Sequence, residues 1–355
     1  MHPMAFPAPA LVGIADTNAL AARACNAASR SLAEELFTGL AATGRSNTFV
    51  SAHVPGELDD HLAEVAAHYP GLLLADAERV LWRQVMPGVP VIDLAVGDYL
   101  HPRVRAFMGT DLALPRCMRG DPDDIGTAAL AEFLAPAVII SADSVFTRFG
   151  LANTVATTWL PAAHMLLEAA GFEATLTETA HLLEFAVRVG AGVLSGAASV
   201  ARCYPFPAAG LLIGAAFIAW RSGCFSGERR RAVGYQLRQA AGEGLDRIDS
   251  AFSAYSQARG ALLVVEPYGV PTVEQLAARY LARIGRPLML PELTAALTSE
   301  GYPVTSAELE KATSRHPAFW GSASSWTGIG RRARSLRRTS SPSGMSRGLT
   351  GPESL

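Results

Sequence analysis

Short apolar segments alternate with longer helical patterns through the first 150 residues, and this alternation restricts the fold more than any other feature. The segments that predict strands are 10–16, 47–52, 89–96 and 137–143. The segments that predict helices are 19–42, 55–69, 72–85 and 121–134. Strands that alternate with helices predict an α/β domain whose parallel sheet carries helices on both faces, which is a three-layer arrangement.

Four acidic residues occupy the places at which such a sheet gathers side chains. Asp16 and Asp143 each end an apolar strand. Ligands of open α/β sheets bind outside the carboxyl ends of parallel strands, so we expect both acids in one crevice. Asp124 and Glu57 lie in the first turns of predicted helices, and such turns commonly face the same crevice.

Carboxylates that lie close together repel one another, so their assembly requires either a proton or a cation. Hard oxygen ligands suit Mg²⁺ or Mn²⁺. One or two such ions would position a water for in-line attack on a phosphodiester. Each acid also has an ordinary interpretation on its own: Asp124 as a helix cap, Asp143 as a turn residue and Glu57 as a solvated first-turn acid. The hypothesis of a metal site therefore depends on the four acids occurring together.

The motifs that contain these acids resemble those of PIN-domain proteins, a family of metal-dependent ribonucleases. IADTNAL (14–20) resembles the opening motif, SAHVPGEL (51–58) resembles the second acidic motif, and GDPDDIGTAALAEFLAPAVIISADSVF (120–146) is similar to the closing pair. The resemblance covers roughly residues 9–150. It implies hydrolysis of single-stranded RNA with Mg²⁺ or Mn²⁺ bound by the catalytic residues Asp16, Glu57, Asp124 and Asp143.

The same resemblance implies some supporting residues. Thr17 or Asn18 would supply a polar contact to the substrate, and Asp121 is an alternative to Asp124 as a metal ligand. Four arginines precede the third acidic motif, and they either contact RNA phosphates or belong to a solvated loop. They are Arg103, Arg105, Arg116 and Arg119.

The pattern changes after residue 150. Residues 151–260 show helical patterns only, with very apolar stretches at 185–200 and 208–220. A membrane span needs about 20 apolar residues. Arg188 interrupts the first stretch, and Pro207 and Arg221 bound the second. We therefore favour a helical core or a homo-oligomer interface, with membrane contact through 185–220 as the alternative.

Residues 261–330 predict a small helical module that ends in a hairpin. Thr272 with Gln275, and Thr305 with Glu308, have capping-box spacing. Gly285-Arg286-Pro287-Leu288 and His316-Pro317-Ala318-Phe319 resemble segments of winged-helix modules, which implies binding of nucleic acid or of a protein partner. Trp320 and Trp326 either stack on a base or seal the hairpin. Residues 331–355 are rich in arginine and predict a basic disordered tail.

Composition narrows the function classes. The net charge of −2 gives no global basic field that would indicate nucleic acid. The four cysteines form no CxxC pair and no secretory signal opens the sequence, which predicts a reduced, cytoplasmic setting. The resemblance to PIN-domain proteins implies an endoribonuclease, either a toxin or a phage-defence effector, with RNA and an antitoxin or other protein as partners. The alternative is a non-catalytic regulator that binds through the winged-helix-like module.

Overall fold

A parallel four-stranded sheet organises the amino-terminal part of the chain. The computed structural model describes residues 11–30, 36–94, 124–152, 158–170, 249–251, 253–321 and 326–331. The strands are β1 (Leu11–Ala15), β2 (Ser46–Ser51), β3 (Val91–Ile92) and β4 (Val138–Ile140). Their order is β3-β2-β1-β4, and every pair is parallel. The prediction of an α/β fold with a parallel sheet is therefore confirmed.

Helices connect these strands. They are α1 (Thr17–Ser29), α2 (Leu36–Ala42), α3 (Val54–Ala66), α4 (Leu74–Val80), α5 (Ile125–Leu134) and α6 (Ser144–Arg148). After α4 the chain continues through a π turn, Leu81–Val85, and a 3-10 turn, Met86–Gly88. The sequence predicted a single helix over 19–42, but α1 ends at Ser29.

Strand β1 packs tightly beside the outer strand β4 at Gly13. All five residues of β1 are buried. A Cβ atom at Gly13 would lie 2.8 Å from Ile140 Cδ1 of β4, so glycine permits this approach. From β1 the chain passes to β2 and then to β3 on one side of β1. It later returns to form β4 on the other side of β1. The strand order therefore reverses between β1 and β4, which is where doubly wound sheets bind ligands.

The carboxyl-terminal module has the element order helix, strand, helix, helix, hairpin. Its elements are α7 (Val273–Ile284), β5 (Leu288–Met289), α8 (Leu290–Ser299), α9 (Ser306–Arg315), β6 (Phe319–Gly321) and β7 (Trp326–Ile329). The strands form an antiparallel sheet in the order β5-β7-β6. Both predicted capping boxes, at the starts of α7 and α9, are present.

The chain forms two compact units. The first contains Met1–Thr38, Ser46–Leu151 and Val264–Leu355, so the amino-terminal sheet and the carboxyl-terminal module belong together. The second contains Gly39–Arg45 and Ala152–Leu263. Residues 159–170, 249–251 and 253–260 of the second unit are helical, as predicted. In the described ranges, no helix combines the length and the hydrophobicity needed to cross a bilayer. The apolar stretches within 185–220 and the tail after Arg331 lie outside those ranges.

The module is bound to both edges of the parallel sheet. Val265 and Ala137 exchange backbone hydrogen bonds of 2.8 and 3.3 Å beside β4. Arg331 and Val91 exchange two more, of 2.7 and 2.8 Å, at β3. Because β3 and β4 are the outer strands, the module begins at one edge of the sheet and ends at the other.

Candidate active site

Asp16 lies at the carboxyl end of β1 and is 4% exposed. Its backbone N–H donates to Ile140 O of β4 at 3.0 Å, which holds the residue against the end of β4. The Ser141 hydroxyl donates to Asp16 Oδ2 at 2.7 Å. The acid that the sequence placed after β1 therefore lies at the strand reversal, in contact with the end of β4.

Asp143 joins the same group through Ser141. The Asp143 N–H donates to Ser141 Oγ at 2.9 Å, so one hydroxyl connects the two acids. Asp143 also caps α6, because its Oδ1 accepts a hydrogen bond from Val145 N–H at 2.8 Å. The ordinary interpretation of Asp143 as a local turn or cap residue thus applies together with its position beside Asp16.

Glu57 approaches from the other side. It lies in the first turn of α3, and its Oε2 accepts a 2.6 Å hydrogen bond from Thr17 Oγ1. Thr17 is buried in the first turn of α1 and directly follows Asp16. Thr17, which the resemblance implied as a substrate contact, thus supports an acid. Asn18 is half-buried in the same turn.

Asp124 precedes α5 at its amino-terminal cap position and is mostly buried. Two residues later, Gly126 lies against the end of β2. A Cβ atom there would be 2.4 Å from His53 Nδ1 and 2.8 Å from Ser51 Oγ. This contact brings the start of α5 to the same end of the sheet as the other acids. Asp121 and the four arginines Arg103, Arg105, Arg116 and Arg119 lie outside the described residues.

Burial dominates the electrostatics of Asp16. Removal from water raises the pKa of its carboxyl, because burial disfavours the charged form. The Ser141 hydroxyl and the Thr17 backbone oppose this shift by hydrogen bonding. The charge of Glu57 raises the pKa further, and His53 lowers it. The ionised acid is therefore held where added positive charge would stabilise it.

Sequence reasoning did not single out three polar residues of this region. Ser141 connects two acids, His53 follows β2 and acts on Asp16, and Thr127 lies one turn after Asp124. Thr127 is fully buried, and its hydroxyl has no hydrogen-bond partner among the described residues. His53 has one signal that could have identified it, since it is a polar residue just beyond the predicted strand 47–52, whereas Ser141 falls inside the predicted strand 137–143.

The carboxylate oxygens of these acids suit a hard cation, but the acids that the structure describes are not arranged around a common point. The described residues contain no group of three or more His, Cys, Asp or Glu side chains arranged to hold a metal ion. Glu57 accepts its hydrogen bond from Thr17 through Oε2, and Asp143 accepts its bond from Val145 through Oδ1. The other carboxylate oxygen of each residue is of the kind that binds a hard cation. The ligand set Asp16, Glu57, Asp124 and Asp143, with Asp121, stays a prediction.

Comparisons with protein-family models, with curated proteins and with solved structures give no match for this chain.

Proposed function

We propose that this protein is a metal-dependent endoribonuclease that hydrolyses single-stranded RNA. One observation carries the proposal: Asp143, Ser141 and Asp16 form a hydrogen-bonded chain at the reversal between β1 and β4. Thr17 ties Glu57 to the residue beside Asp16. Carboxylates gathered at the position where doubly wound sheets bind ligands suit a cation and a phosphate.

The residues of the chain have separable tasks in this proposal. Asp16, Glu57, Asp124 and Asp143 would hold Mg²⁺ or Mn²⁺, which when bound supplies an activated water and charge neutralisation at the leaving oxygen. Ser141 keeps Asp16 and Asp143 in fixed relative orientation. Thr17 does the same for Glu57. The burial of Asp16 excludes bulk water, and this strengthens electrostatic interactions at the site.

The charge balance supports a cation rather than a purely structural acid. Burial and Glu57 both disfavour the ionised form of Asp16. The motif order that resembles PIN-domain proteins supports the same chemistry. In this proposal Arg103, Arg105, Arg116 and Arg119 and the basic tail contact RNA phosphates.

We test the proposal with a labelled single-stranded RNA, in EDTA and then in Mn²⁺. We expect cleavage only with the metal, and a loss of about 100-fold or more in Asp16→Asn and in Asp143→Asn. Glu64→Gln is the matched control, because Glu64 is an exposed acid of α3. If both site variants cut as fast as the parent, the assignment is wrong.

The alternative function is a non-catalytic regulator. The element order helix, strand, helix, helix, hairpin supports the resemblance of the carboxyl-terminal module to a winged helix. Helix α9 carries exposed Glu308, Glu310, Lys311 and Arg315. This mixed charge favours a protein partner over a nucleic-acid backbone. This function would be favoured if the parent does not cut RNA and if the parent and the Asp16→Asn variant bind a protein partner equally well.

A further inference from the structure

Helix α5, which follows Asp124, is buried along nearly its whole length. Every residue from Gly126 to Leu134 is buried, including Glu132. A helix that covers a sheet in an α/β fold usually keeps a polar face towards water. Here the carboxyl-terminal module covers that face. The imidazole ring of His316 stacks on the ring of Phe133, with 5.3 Å between ring centroids and 4° between planes.

Arg279 of α7 makes polar contacts across this interface. This arginine is only 8% exposed. Its Nε–H donates to Phe133 O at 3.1 Å, and its Nη2 donates to Glu132 O at 3.2 Å. Carbonyls in the last turn of a helix lack partners within the helix and carry partial negative charge. Arg279 therefore caps α5 from another part of the chain.

A second cap has its donor in the parallel sheet and its acceptors in the carboxyl-terminal module. Asn47 of β2 donates from Nδ2 to Ala282 O at 2.8 Å and to Arg283 O at 3.2 Å, at the end of α7. Gly285 follows with φ 69°, and a Cβ atom there would lie 2.6 Å from Asn47 Oδ1. Each of the two helices thus has its carboxyl end bound by a side chain from the other side of the interface.

We propose that Arg279 is a positioning residue for the acid cluster: by capping the carboxyl end of α5 it holds Asp124, at the other end of that helix, in the site. The proposal rests on the function proposed above. A ten-residue helix is about 15 Å long and moves as a rigid rod. If its capped end shifts, its first turn shifts against His53 and Ser51 as well.

The test uses the full chain and three variants. Arg279→Met keeps most of the side-chain volume and removes both donors. Arg279→Lys keeps the charge but loses the two-pronged geometry. Arg283→Met is the matched control, because Arg283 lies one turn further along α7 and makes an exposed ion pair with Glu300.

The first readout is the Mn²⁺ concentration for half-maximal RNA cleavage, together with direct Mn²⁺ binding by electron spin resonance. We expect Arg279→Met to raise this concentration at least tenfold, Arg279→Lys to raise it by an intermediate factor, and Arg283→Met to match the parent. A folded Arg279→Met with the Mn²⁺ dependence of the parent overturns the proposal. If Arg279→Met does not fold, parental Mn²⁺ dependence in Arg279→Lys overturns it.

The second readout does not depend on activity. Amide hydrogen exchange in the first turn of α5 should be faster in Arg279→Met than in Arg283→Met. Equal exchange rates would refute the positioning role even if cleavage falls. If the parent neither binds Mn²⁺ nor cuts RNA, the proposed function fails, while faster exchange in Arg279→Met still supports the capping role.

Discussion

Ser141 makes two hydrogen bonds at the end of β4, one to the Asp16 carboxylate and one to the backbone N–H of Asp143. Its hydroxyl donates to Asp16 and accepts from the Asp143 backbone, so its single proton is already committed. The bond to Asp16 favours the ionised carboxylate and opposes the effect of burial on its pKa. Ser141 therefore acts both on geometry and on charge.

Replacement of this residue should shift the pH dependence of the reaction. In Ser141→Ala the pKa of Asp16 rises further, because a hydrogen bond to its charged form is lost. We expect the acidic limb of the pH–rate profile to move to higher pH, and stability to fall by about 1–2 kcal/mol. Ser144→Ala, an exposed neighbour, serves as the control. An unmoved acidic limb in Ser141→Ala would contradict this role.

Asp16 should reduce the stability of the metal-free protein. Its raised pKa means that the folded state binds its proton more tightly than the unfolded state does. The contribution to stability therefore falls as pH rises from the ordinary value of 3.8 through the raised pKa. At pH 7 without metal we expect the free energy of unfolding of Asp16→Asn to exceed that of the parent by about 1 kcal/mol, which raises Tm by roughly 2–4 °C.

Bound metal should reverse this order of stability, so that the parent melts above Asp16→Asn. Mn²⁺ stabilises a folded protein that binds it, by mass action. We expect Mn²⁺ to raise the Tm of the parent and of Glu64→Gln, and to leave that of Asp16→Asn unchanged. Calorimetry or a dye-based melt measures both effects. A metal-free Asp16→Asn protein that melts below the parent would show that the carboxylate has stabilising contacts that outweigh its burial.

The sequence contained good information on where acids lie relative to the strands and little on what surrounds them. Strand ends could be read from apolar runs, so Asp16 and Asp143 could be placed near one another. Ser141 could not be assigned, because it falls inside the predicted strand 137–143 and its partner Asp16 is 125 residues away along the chain. The 2.6 Å contact of Thr17 with Glu57 joins residues 40 apart and has no local pattern.

At the scale of elements, the contact between the start of α5 and the end of β2 brings Asp124 to the end of the sheet where Asp16 lies. Only glycine fits at position 126, where a Cβ atom would meet His53 and Ser51. Local patterns predicted α5 well, since its acidic start and apolar run are contiguous. The predicted strand 89–96 was too long, because β3 has only Val91 and Ile92 paired with β2.

A methyl group at this contact should disturb the site. We expect Gly126→Ala to cost about 1–3 kcal/mol, because His53 must move to relieve the overlap. Gly56→Ala is the control, since a Cβ atom there meets nothing within 4 Å and alanine favours a helix by about 0.5–1 kcal/mol. Chemical denaturation measures both. Adding His53→Ala to Gly126→Ala should restore part of the loss, and no restoration would contradict the overlap.

On the scale of the whole molecule, the carboxyl-terminal module completes the amino-terminal fold. The sequence predicted boundaries near residues 151 and 261, and the chain leaves the first unit after Leu151 and rejoins it at Val264. The sequence could not show that the two parts pack together. Arg279 and Phe133 are 146 residues apart, and such pairings leave no periodicity to detect. The lack of a polar face on α5 was the available hint.

Backbone of the module is hydrogen-bonded to both edges of the sheet, at Val91 of β3 and at Ala137 beside β4. These two positions are therefore closed to the addition of a strand from another chain. The sheet and the module share one unit although the chain leaves that unit between Leu151 and Val264, so we expect their contacts to persist when this excursion is cut. A protease site inserted in that excursion should give two polypeptides that co-elute after cutting, and separation on gel filtration would refute this. Co-elution would make the protein suited to fragment complementation, in which the proposed RNA cleavage would report that two halves have met.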